Sequence, residues 1–140
     1  MTAAIQTQAR TGLRLCLWCV AAVIAELGLY LSYRGHDARF HWFTHFFVGS
    51  SAALVLMAAL AGRWRRPVPY PLVWPLTAHL FAMTPDLLFS AGTAHQRWMD
   101  LFLGHLSTHF VWGRNYTWYV VFLAALGAYL LVIDRIQDRP

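Results

Sequence analysis

Four stretches of about twenty predominantly apolar residues, 15–33, 42–62, 70–91 and 116–133, decide most of what this chain can fold into. A helix rises about 1.5 Å per residue, so each stretch is long enough to cross a hydrocarbon layer ~30 Å thick. Pro75 and Pro85 interrupt the third. Hydrophobic residues make up 59% and charged residues 12% of only 140. A water-soluble fold that small buries about two thirds of its unfolded surface and cannot hide so much apolar area. The excess must face lipid. This excludes a soluble enzyme, a disordered tail and a secreted disulfide scaffold. The reading is an all-α integral membrane protein whose residues 1–140 form a single transmembrane domain.

All eleven basic residues are arginines, placed at the ends of the apolar runs rather than on one face. They read as topological anchors and not as a nucleic-acid footprint. Arg10, Arg14, Arg63, Arg65, Arg66, Arg135 and Arg139 fall on one side of a four-helix topology. Arg34, Arg39, Arg97 and Arg114 fall on the other, partly balanced by Asp37 and Asp100. The positive-inside rule then places both termini in the cytoplasm. The first run is too long for a signal peptide and no small-residue cleavage site follows it. Residues 94–112 mix aromatics and leucines with His95, Arg97, Asp100, His105 and His109. A fifth crossing there would carry Arg135 and Arg139 outside, against the charge rule. The expectation is a short helix on the outer side, interfacial or re-entrant.

Seven histidines outnumber the six carboxylates, and five of them lie outside the long apolar runs. Counted from the outer helix ends, His41, His45, Glu26, Asp86, His95, His105 and His109 all approach the outer leaflet. His79 lies deeper. Ionisable groups cost roughly 2.5–3.5 kcal/mol each inside a membrane on insertion scales, so their convergence is a functional-site hypothesis. His41 and His45 are four apart and share a helix face, as do His105 and His109, a spacing that lets two imidazoles hold one metal. On a continuous helix from Ala94, His95 joins the face of His105 and His109. Pro85 removes a backbone donor, frees the Phe81 carbonyl and can turn Asp86 toward the bundle interior. Three or more imidazoles with a carboxylate suit a divalent transition metal, zinc above all, with Glu26 or Asp86 as general base.

Three short elements in order resemble a known family. Thr44-His45-Phe46-Phe47-Val48-Gly49 is similar to the T-H-x-x-x-G element of the small membrane-bound metal-dependent hydrolases (the YdjM-like family). Thr84-Pro85-Asp86-Leu87-Leu88 resembles that family's L-P-D-x-D element, and His105-Leu106-Ser107-Thr108-His109-Phe110 its H-R-x-x-T-H-S element. The resemblance covers roughly residues 41–110. It implies a multi-helix protein of the bacterial cytoplasmic (inner) membrane, a metal site from His45, Asp86, His105 and His109, and hydrolytic activity. The chain departs from the pattern at Leu88, Leu106 and Phe110, and its two motif histidines stand one residue closer together.

The functional expectation is metal-assisted hydrolysis of a lipid-linked or amphipathic substrate at the outer leaflet. His45, Asp86, His105 and His109 are the ligands, with His41 and His95 beside them. Two other readings stay open. Histidines at similar depth, such as His45 and His109, can ligate haem axially. Alternatively the chain is a non-catalytic subunit or scaffold, as a homo-oligomer or in a larger membrane complex. Cys16 and Cys19 form a C-x-x-C inside the first helix with no further cysteine to complete a zinc site. They are expected to be small reduced packing residues.

Overall fold

The computed structural model describes residues 2–32, 38–94, 96–101 and 114–138, and among them every regular element is a helix. The helices are α1 (Thr2–Ser32), α2 (Ala38–Trp64), α3 (Val73–Ser90), α4 (Arg97–Leu101) and α5 (Arg114–Gln137). They fall into two compact units, Met1–Ser32 and Tyr33–Pro140.

The first unit is α1 alone. Its helix begins well before the expected apolar run, because Thr2–Arg14 is rich in Ala, Gln and Arg and has no proline to stop it. Leu15, Leu17, Val20, Val23, Ile24, Leu27 and Leu31 are exposed, and all but Leu15 share one broad face of the helix. A broad apolar face of this kind is suited to lipid. Cys16 and Cys19 are free thiols and are exposed, so they do not take the packing role expected of them.

In the second unit α2 packs against both α3 and α5. The pairings give the directions. Gly49 meets Ala78 and His45 meets Asp86, so α2 and α3 run antiparallel. Thr44 meets Asn115, Phe47 meets Tyr119 and Gly62 meets Val132, so α2 and α5 run parallel. The starts of α2 and α5 and the end of α3 therefore share one end, called upper below. Arg63 and Arg135, in the last turns of α2 and α5, mark the lower end, where they complement the helix dipoles. The chain leaves α3 and enters α5 at the same upper end.

The lower half holds the apolar core: Leu54, Met57 and Ala61 of α2, Ala125 and Tyr129 of α5, and Val68 of the α2–α3 loop. That loop turns sharply, with Arg65 and Tyr70 in the left-handed region and the Trp74 indole N–H donating to the Pro69 carbonyl at 3.1 Å. Helix α3 starts at Val73, later than expected, because Pro69, Pro71 and the strained Tyr70 hold the preceding residues in the turn. Pro75 is tolerated in its first turn. Gly92, at a φ of 89°, ends the helix with its N–H on the Phe89 carbonyl.

Three helices are long and apolar enough to span a membrane, over Gly12–Leu31, Trp42–Trp64 and Asn115–Gln137. The third expected span, α3, has 18 residues, about 27 Å of helix, and is diluted by two prolines, His79 and Asp86. Of the expected helix over 94–112, only Arg97–Leu101 is described, and Ala94 and Gln96 are outside it.

The tightest contact is between α2 and α3. A Cβ added at Gly49 would stand 2.6 Å from the Ala78 carbonyl oxygen and 2.9 Å from the His79 nitrogen, closer than real atoms approach. Small residues at helix interfaces allow such backbone approach, and packing of this kind replaces the hydrophobic effect as the driving force in lipid. Gly49→Ala should lower stability by about 1–3 kcal/mol, the usual cost of overpacking. Gly62→Ala, whose nearest neighbour is the Val132 side chain at 3.9 Å, should be near neutral. Thermal unfolding of both variants in detergent checks the contrast.

Candidate functional site

Just above the Gly49–Ala78 crossing, His45 of α2 and Asp86 of α3 meet. The His45 Nε2 and Asp86 Oδ2 are 2.9 Å apart, with the side chains 2% and 11% exposed. The separation is within ion-pair and hydrogen-bond distance. Pro85 lies inside α3 and is buried, and Asp86 directly after it reaches α2, the inward turn expected of a kinked helix. The Thr84 hydroxyl donates to the Leu80 carbonyl at 3.0 Å, one turn back.

The surroundings of the pair are the most polar part of the interior. All the buried polar side chains among the described residues, Thr44, His45, Ser50, Ser51 and His79, lie on one stretch of α2 or at its crossing with α3. The Thr44 hydroxyl donates to the Asn115 side-chain amide oxygen Oδ1, tying α2 to α5 one residue before His45. Ser51 returns its hydroxyl to the Phe47 carbonyl at 2.6 Å, so it serves its own helix.

His79 is fully buried. Trp42 and Phe46, one turn apart on α2, stand edge-to-face with its ring at centroid distances of 5.2 and 5.3 Å. It shares the α3 face of Asp86, two turns away, but Met83 and Ala82 are fully buried between them. Phe46 and Phe47 continue the aromatic cluster to Phe122, and Phe47 reaches Tyr119. Buried apolar side chains thus lie on the same helices as the His45–Asp86 contact. Isolated charges are expensive there, and a buried pair is maintained only by excellent geometry and further partners.

Of the residues anticipated from the sequence, the structure brings His45 and Asp86 together. His41 lies on α2 one turn before His45. His95, His105 and His109 fall outside the described residues. Glu26 sits half-buried on α1, in the other compact unit. Among the described residues no third His, Cys, Asp or Glu joins the pair. Asn115 and the Trp42–Phe46 enclosure were not anticipated. The four-residue spacing of Trp42 and Phe46 was visible in the sequence, whereas nothing local connected Asn115 to Thr44, 71 positions away.

Compared with family models, with curated proteins and with solved structures, the chain finds no match.

If His45 and Asp86 interact as placed, their substitutions will not be independent. A double-mutant cycle with His45→Gln and Asp86→Asn should show a coupling of about 0.5–3 kcal/mol in unfolding free energy, the range for residues in contact. Strict additivity would contradict the contact. Thr44→Val should cost less, about 0.6 kcal/mol, the average for an interhelical hydrogen bond in a membrane protein.

Proposed function

We propose that this chain is a multi-pass protein of a bacterial cytoplasmic membrane that holds a divalent transition metal, zinc first, and hydrolyses a lipid-linked or amphipathic substrate at the outer leaflet. The observation that carries the reading is the buried contact of His45 with Asp86. These residues belong to two of the three elements that resemble the membrane-bound metal-dependent hydrolases, and helix packing sets them side by side.

The donor set fits the metal. Two ligands of a tetrahedral zinc, with bonds of about 2.0–2.1 Å, stand roughly 3.3 Å apart. The 2.9 Å between His45 and Asp86 needs only a small parting to admit one. His105 and His109 would complete the set, with His41 and His95 beside them and Glu26 as a candidate base. A bound zinc supplies Lewis acidity and a nucleophile near neutral pH. The protein's own part is to hold the two donors together at the α2–α3 crossing. The Thr44–Asn115 bond fixes the rotation of α2 that presents His45.

The proposed topology has four crossings, with α3 as the short one and the Arg63–Arg66 and Arg135 end in the cytoplasm. The upper end, with His45 and Asp86, then faces outward. Residues 91–113 belong to the outer side as an interfacial or re-entrant segment.

A second reading is a non-catalytic subunit of a larger membrane assembly, with α1 long and apolar enough to span the membrane on its own. In that case the apolar face of α1 meets partner helices, and the histidines bind nothing. Elemental analysis of protein purified in detergent separates the two. The metal reading expects zinc near one per chain, lost on His45→Ala and on Asp86→Asn with helical content retained. Absence of metal even after zinc loading would overturn it, and a Soret band in the absorption spectrum would replace zinc by haem.

A further inference from the structure

Below the Gly49–Ala78 crossing α2 and α3 diverge and leave an apolar groove of about 450 Å³. Ala52, Ala53 and Ala78 make its floor, and Leu56, Trp74 and Phe81 its walls. The groove opens in the middle of the Trp42–Trp64 span, ten residues from its upper end and eight from its lower. At that depth the solvent is hydrocarbon. Its α3 side runs from Val73 to Phe81, about 12 Å of helix. A flexible hydrocarbon chain, the medium at that depth, can lie along an open apolar cleft of this length.

Its position relative to the polar pair matters as much as its size. Ala52 and Leu56 lie seven and eleven residues beyond His45, hence about 10 and 16 Å deeper along α2, and within ~20° of His45 around the helix. A lipid with its polar end near His45 and Asp86 directs its tail down this line. The walls are aromatic and aliphatic and the floor is small, the composition of sites that bury apolar ligands.

We propose that the groove binds one hydrocarbon chain of a lipid whose polar end lies at the level of His45 and Asp86. Resting on the hydrolase reading, this makes the substrate a lipid with at least one hydrocarbon tail, and makes Ala52, Thr77 and Phe81 determinants of tail fit. No metal is required for the tail to bind.

Photolabelling tests this with the full chain in vesicles of phosphatidylethanolamine and phosphatidylglycerol. The probe is a lysophospholipid whose single palmitoyl chain carries a diazirine, and the adducts are located by peptide mass spectrometry. Adducts should concentrate on 52–56 and 73–81 beyond those segments' share of exposed apolar surface. Ala52→Phe and Thr77→Phe, both at exposed positions, should each lower them severalfold while leaving labelling of α5 unchanged. A second probe with the diazirine on its polar head should label 42–47 or 84–88. Adducts spread over α1 and α5 in proportion to exposure would overturn the proposal. So would groove labelling indifferent to both substitutions, head-probe adducts elsewhere, or cross-links from a second copy of the chain in the groove. If zinc binding fails while groove labelling follows the two substitutions, the metal reading falls and the tail site stands.

Discussion

The close approach of α2 and α3 at Gly49 is the contact on which the rest of the second unit depends. With a hydrogen atom at position 49, the α2 surface rests on the Ala78–His79 backbone; with a methyl group it would have to move away. In lipid there is no water to expel, so helices adhere by packing, and an ångström of separation is costly in lost dispersion contacts. The same approach brings the next turn of α2 against the last turns of α3. The 2.9 Å contact of His45 with Asp86 follows from it. On the other side of the crossing the helices part, and the groove is the consequence. One glycine thus determines both the polar pair and the apolar cleft.

The interior is divided along its length. Aliphatic residues, Met57 and Tyr129 fill the lower half, between α2, α5 and Val68, while the buried histidines and hydroxyls lie in the upper. Such a division does not serve stability, since buried ion pairs are often no better than well-packed apolar residues. A chain with so few ionisable groups that sets two of them against each other in its interior retains a costly arrangement. Ionisable groups in a membrane interior generally mark function for this reason. The arginines at the opposite end, in the last turns of α2 and α5, suit a cytoplasmic face.

Apolar length made three of the spans legible, because a run of twenty apolar residues has few folding options other than a membrane helix. The same criterion misjudged where α1 and α3 begin. Polar helix formers extend α1 back to Thr2, and a proline-rich turn delays α3 to Val73. The small residues at 49–53 and the Pro85 kink indicated close packing and an inward Asp86, and both local signals hold in three dimensions. Polar pairings between distant segments left no such trace. Thr44 with Asn115 depends on α2 and α5 running parallel, and periodicity within one helix carries no information about a neighbour's direction. The Trp42–Phe46 enclosure of His79 depends on the register of α2 against α3, which Gly49 sets.

The central claim is that His45 and Asp86 are donors to one metal, held together by the α2–α3 crossing. Cobalt(II) titration of the purified chain, followed by visible ligand-field absorption, reads this directly, because band position and intensity report donor type and coordination number. A saturable band at one equivalent is predicted, abolished by His45→Ala, shifted or abolished by Asp86→Asn, and weakened by Gly49→Ala, which touches no ligand. A chain that stays colourless, or a band that is the same in all three variants, would contradict it.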